Sequence, residues 1–188
     1  MDTLELNLAK RGNREAQFNL GIMYSIGHKV SQDFREAKIW YQKAAELGHV
    51  EAQSNLGEMY YRGLGVTQDY SKAIKWFQKA AKQGFTDAQY NLGKMYEAGI
   101  GVVKDYTMAI RWFKKASENG NVKAQYHLGD LYYKGEIVEQ DFSEAIKWYC
   151  KASDQGYAEA DEMIKWLNMK KTFKYIKDEN PSVVTANW

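Results

Sequence analysis

The sequence predicts an all-α fold, a right-handed α-solenoid of stacked helix pairs, on three observations. The first is an internal repeat of 36 residues that runs without a gap: Gln17, Gln53, Gln89 and Gln125 mark it, as do Leu20, Leu56, Leu92 and Leu128, then Gly21, Gly57, Gly93 and Gly129. Trp40, Trp76, Trp112 and Trp148 keep the same register. A period of this length is the signature of a repeat array. The second is helical spacing inside the repeat, where Ala52, Leu56, Met59 and Tyr60 fall at i, i+4, i+7 and i+8. The third is punctuation. Gly63 and Gly84 stand where helices stop, Asp69 where one starts, and the single proline, Pro181, lies beyond the repeats.

Taken in order, residues 1–12 predict a shortened second helix that caps the array. Its Leu4, Leu8, Ala9 and Gly12 match Trp40, Ala44, Ala45 and Gly48 in register. Residues 13–156 predict four full helix pairs. In each, the first helix ends at a glycine such as Gly63. An aspartate, Asp33, Asp69, Asp105 or Asp141, then caps the second helix by accepting free backbone N–H groups. Glu36 and Glu144 complete a D-x-x-E capping box in the first and last repeats. The second helix sets Ala73, Trp76, Phe77, Ala80 and Ala81 on one face. Residues 157–178 predict a C-terminal capping helix, since Ala160, Ile164 and Leu167 restart the pattern and Lys165 and Asn168 break it. Residues 179–188 read as a tail, so that 1–178 form one solenoid domain. No pair buries its own apolar face; stacked neighbours do. With tryptophans as the knobs, truncating Trp76 or Trp112 to alanine is expected to cost about 3–5 kcal/mol.

Charge excludes several function classes. The chain of 188 residues carries 26 basic and 24 acidic side chains, a formal +2, which predicts neither a nucleic-acid partner nor membrane insertion. The start lacks a basic and apolar leader, and one cysteine, Cys150, makes no internal disulfide; a reducing cytoplasm is expected. Cys150 reads as an inert exposed thiol. His28, His49 and His127 occupy three different repeat positions, as loop or helix-end residues do, and predict no metal site. Gly63-Leu64-Gly65 follows a helix rather than a strand and reads as punctuation, not a phosphate cradle. No nucleophile elbow or S-x-x-K serine appears. No catalytic residue and no cofactor are assigned, and the chain is not expected to be an enzyme. Lys165, Lys170, Lys171, Lys174 and Lys177 read as the solvated face of the end cap.

The pattern A-x-x-x-L-G-x-x-Y-x-x-G-x-G-V-x-x-D-Y-x-x-A-x-x-W-x-x-K-A-A-x-x-G resembles the Sel1-like repeat, a relative of the tetratricopeptide repeat, from Asn13 to Gly156. Lys29 and Ile137 depart from it at the second loop glycine. The resemblance implies an adaptor or scaffold that takes a protein or an extended peptide in a concave groove lined by the first helices. Aligned on that groove, the partner-binding residues are Phe18, Ile22, Asn55, Glu58, Tyr61, Arg62, Tyr90, Asn91, Lys94, Tyr126, Asp130, Tyr133, Lys134 and Trp166. Ser54 falls on the same face, and Asn19, Asn55 and Asn91 recur beside it, offering amides to a peptide backbone. Rigid aromatic rings among charges are the composition of binding hot spots. The alternatives are a bacterial immunity protein that neutralises a toxin by direct binding and, less favoured by these residues, a hydrolase of β-lactams. Self-association through the 179–188 tail, with Trp188 as anchor, is a further expectation.

Overall fold

The computed structural model describes residues 3–179, with side chains for residues 4–170. Among these residues the order is α1 (Thr3–Lys10), α2 (Arg14–Ile26), α3 (Phe34–Glu46), α4 (Val50–Arg62), α5 (Tyr70–Lys82), α6 (Thr86–Ala98), α7 (Tyr106–Glu118), α8 (Val122–Lys134), α9 (Phe142–Ser153) and α10 (Ala158–Glu179). This is a helical-repeat solenoid. The expected tail lies, except for Glu179, outside the described residues. The chain divides into two compact bodies, one ending at Asn119 and the other beginning at Gly120. In the first body each helix from α1 to α7 packs on its sequence neighbours; in the second, α8 packs on α9 and α9 on α10.

Local chemistry sets the boundaries. Asp33, Asp69, Asp105 and Asp141 each accept backbone N–H bonds at the start of a second helix. Glu144 pairs forward with Lys147 at 2.8 Å, an i,i+3 contact, instead of the reach back to the cap that the D-x-x-E spacing suggested. The first helices end at Gly27, Gly63, Gly99 and Gly135, all left-handed, each closing its turn with an N–H to the carbonyl four residues back.

The helix pair is joined by a glycine set against a ring. A Cβ on Gly21, Gly57, Gly93 or Gly129 would lie 2.4–2.8 Å from the ring of Tyr41, Phe77, Phe113 or Tyr149 respectively. The knob of the pair is therefore this ring, not the tryptophan before it. Phe77, Phe113 and Tyr149 are almost fully buried. Trp76 and Trp112 are only partly buried, packed against the clusters around Leu56 and Leu92. Lysines one turn on cover the indoles, with Lys79 Nζ 4.0 Å from the Trp76 ring centre and Lys151 Nζ 4.0 Å from that of Trp148. The tryptophan expectation is corrected accordingly: it closes a seam between pairs, and the next residue holds the pair together.

The recurring glutamine is a clasp. Gln17, Gln53 and Gln89 donate from Nε2 to the carbonyls of Ala9, Ala45 and Ala81, at 3.0–3.1 Å, tying a first helix to the second helix before it. The Oε1 atoms of Gln53 and Gln89 accept from the end of the second helix of their own pair: Gln83 donates to Gln53 at 2.8 Å and Asn119 to Gln89 at 3.4 Å. In the second body Gln155 donates to Gln125 at 2.7 Å. Leu47 stands at that position in the first repeat and has no donor, and Gln17 Oε1 is buried without a partner.

Candidate protein-binding face

Two positions of the first helices beside the joint differ between the repeats: Phe18, Ser54, Tyr90 and Tyr126 share one register, and Ile22, Glu58, Lys94 and Asp130 the other. In the first body, α2 places Phe18 and Ile22 half-buried against the Tyr41 core. Phe18 stacks on His49, with ring centres 4.1 Å apart. His49 is a helix-end residue: Nδ1 accepts from the Ala52 N–H at 3.3 Å, and Nε2 lies 3.2 Å from Glu15. Ser54, expected on the face, is buried, 7% exposed.

Asn19 and Asn55 are occupied internally. Asn19 donates to Glu5 at 2.9 Å. Asn55 hydrogen-bonds the Tyr41 hydroxyl, which also meets Ser25 Oγ at 3.1 Å. Burial pushes the Tyr41 phenol above its ordinary pKa, and these bonds partly offset it.

The third asparagine differs. Asn91 lines an open cavity of about 260 Å³ between α4 and α6, with Glu58, Tyr61, Arg62, Phe77, Lys94, Met95, Ala98 and Ile100. Five of its residues, Glu58, Tyr61, Arg62, Asn91 and Lys94, are ones the sequence pattern assigned to a partner. Glu58 pairs with Arg62 along α4, and Lys94 with Glu97 at 2.6 Å along α6. Tyr61 leans on Tyr70, with ring centres 5.4 Å apart. Tyr90 lies outside the cavity, half-buried with its ring centre 5.8 Å from Phe113. Of the apolar lining, Phe77 was read from the sequence only as a packing residue, and Met95, Ala98 and Ile100 were not singled out. The signal was present in the alternation Tyr41, Phe77, Phe113, Tyr149 at one register position.

In the second body, Tyr126 lies between Tyr149 and Tyr157, at 5.4 and 4.9 Å. The Tyr149 hydroxyl donates to Asp130 at 2.7 Å. Burial first, then the Asp130 carboxylate, hold the Tyr149 phenol well above its ordinary pKa. Burial, followed by the Asp130 charge, does the same more weakly at Tyr126. Tyr133 meets the edge of Trp166 at 5.5 Å and 90°. Lys134 is exposed and Trp166 is 38% exposed.

Chemistry on this face is recognition by rings, amides and ion pairs. Cys150 is half-buried, not exposed as expected. Among the described residues no group of three or more His, Cys, Asp or Glu is placed to hold a metal, and no helix is long and apolar enough to cross a membrane.

The Sel1 repeat model matches residues 14–49, 50–85, 86–121 and 122–157. A solved protective antigen of uropathogenic Escherichia coli with an SLR fold is similar at 39% identity and a TM-score of 0.80, over 84% of this chain and 34% of that one. A Sel1 repeat protein from Oxalobacter formigenes is similar at 38% identity and a TM-score of 0.78, over 81% of this chain and 62% of that one. The chain thus spans less than two thirds of the length of either. An immunity protein from Pseudomonas aeruginosa shares 25% identity at a TM-score of 0.57, over 84% of this chain and 57% of that one. No curated protein matches. Four consecutive matched repeats, with the glycine–ring joint and glutamine clasp built from their fixed positions, place the chain in the Sel1 repeat family.

Proposed function

We propose that the chain is a protein-binding adaptor or scaffold module that recognises a partner through the exposed faces of its first helices. One observation carries the reading. Five of the residues assigned to a partner meet around a single open cavity between α4 and α6, over an apolar floor. Sel1 repeat folds are typical of protein-interaction modules, which supports the class. Concave, mostly apolar sites with a few polar groups at the rim are where ligands bind.

The test is photo-crosslinking in native lysate. A benzophenone amino acid at Arg62 or Lys94 is expected to crosslink a discrete partner, and the same group at Lys75, on a second helix, is not. Crosslinks from Lys75 alone would move the site to the opposite helices. Arg62→Glu with Lys94→Glu is the matching loss-of-binding variant. It is preferred to Tyr90→Ala with Tyr126→Ala, because those rings also pack against Phe113 and Tyr149.

A second reading is toxin neutralisation by direct binding. Likeness to the Pseudomonas immunity protein supports it. Its test is co-expression with a secreted toxin encoded beside this gene. Rescue of growth supports immunity, and continued killing removes it.

A further inference from the structure

The joint ring changes identity along the chain, and the change has a chemical consequence. Where it is tyrosine, the hydroxyl is satisfied by the protein itself. Tyr41 meets Ser25 and Asn55, and Tyr149 donates to Asp130. Shifted by the repeat onto the second ring, Ser25 becomes Tyr61, Asn55 becomes Asn91 and Asp130 becomes Glu58. All three line the cavity, and the ring at its floor is Phe77, which has no hydroxyl to offer them.

We propose that this cavity is a receptor for one tyrosine side chain of a partner protein, its phenol hydroxyl donating to Glu58 and meeting the Asn91 amide. The proposal rests on the binding-face reading above and names the chemistry it selects. Size agrees: a ring of benzene size occupies a cavity of about 150 Å³, and about 260 Å³ is present. Phe77, Met95 and Ile100 supply the apolar walls for the ring. Charge agrees too. Glu58 is paired with Arg62 and Lys94 with Glu97, so the lining holds no unmatched charge to draw in a charged side chain and offers acceptors in its ion pairs and the Asn91 amide. An uncharged group with an O–H donor suits such a lining. Glu58 keeps its bond to Arg62, since a carboxylate accepts several hydrogen bonds.

The experiment titrates the 15N-labelled full chain with N-acetyl-tyrosinamide, N-acetyl-phenylalaninamide and N-acetyl-leucinamide, read by amide shifts. The tyrosine amide is expected to give saturable shifts at Glu58, Asn91 and Met95, with the other two at least 5-fold weaker, because a site built for a hydroxyl is left unpaired by its analogues. Phe77→Tyr places the protein's own hydroxyl in the cavity. It is expected to abolish those shifts without lowering the melting temperature, since tyrosine already holds this position at Tyr41 and Tyr149. Glu58→Gln separates the acceptor from the shape and is expected to weaken the tyrosine amide at least 5-fold. Equal binding of the phenylalanine amide, shifts mapping elsewhere, no saturable shift, or binding that survives Phe77→Tyr each overturns the proposal. Crosslinking from Arg62 or Lys94 that persists alongside such a result leaves the binding face standing and removes only the tyrosine receptor; loss of both removes the face.

Discussion

Leu47→Gln is expected to stabilise the protein, and the repeats supply the arithmetic. At the corresponding positions Gln83, Asn119 and Gln155 donate to the clasp glutamines. Leu47 cannot, and Gln17 Oε1 is buried without a partner. A buried acceptor left unmade costs about 1–3 kcal/mol. Leu47 is 51% exposed, so its removal forfeits only part of the about 1.5–3 kcal/mol that full burial of a leucine contributes. The glutamine methylenes recover some of that contact. The net gain works out at about 1 kcal/mol, or a rise in melting temperature of about 2–4 °C for a chain of this size. Scanning calorimetry on the wild type, Leu47→Gln, Gln17→Leu and the double variant measures it. The gain must vanish when Gln17 is leucine, since nothing then remains to accept the bond. No gain, or the same gain in both backgrounds, refutes the clasp.

Gly93→Ala is expected to destabilise by about 2 kcal/mol in urea titration although alanine is the better helix former. Its Cβ would sit 2.4 Å from Phe113, and overpacking of about 3 kcal/mol outweighs the propensity gain of about 1 kcal/mol. In a Phe113→Leu background the cost should fall towards zero. Phe77→Ala is expected to cost about 3–5 kcal/mol, and Trp76→Ala about 2 kcal/mol because its indole is partly exposed; equal losses would restore the tryptophan as the main knob. Tyr149 titrates well above its ordinary range near 10, so its contribution is present below pH 10 and is lost as pH rises beyond it. Tyr149→Phe should flatten that alkaline limb and remove about 1.5 kcal/mol at neutral pH through the lost bond to Asp130. The Lys72 backbone N–H holds the Asp69 carboxyl below its ordinary pKa. Its capping is therefore present above the usual carboxylate range and lost as pH falls through the lowered value, and Asp69→Asn should remove this acid dependence in thermal melts.

Period, helix pairs and caps were legible in the sequence because each is local or exactly repeated: a glycine after a helical stripe and an aspartate before one need no knowledge of the neighbours. Roles that depend on which helix meets which were not. Trp76 is the largest side chain in its stripe, yet the contact that fixes the pair belongs to Phe77, because Gly57 lies opposite it. The three asparagines look equivalent in register. Only the structure places Glu5 beside Asn19 and the Tyr41 hydroxyl beside Asn55, leaving Asn91 to line a cavity. Ser54 was assigned outward by periodicity, but its small side chain lies 7% exposed between helices. Exposure was legible where position alone decides it, as at Arg62 and Lys134.

One loop position carries an instruction about order. Gly65 presses against the start of α3, where a Cβ would stand 2.4 Å from the Phe34 carbonyl. Lys29 holds the same position in the first repeat with φ 60°. The helix before it, α1, matches only Ile39–Glu46 in register, so among the described residues no turn presses on that loop. The first repeat thus differs from the second at this loop. Placed behind a full second helix, its lysine stem would meet that helix's main chain as a Cβ on Gly65 would meet Phe34, whereas the second or third repeat could be duplicated in tandem. Lengthening of such an array is therefore selective about which repeat is copied, and a designer adding one should copy residues 50–85 or 86–121 rather than 14–49.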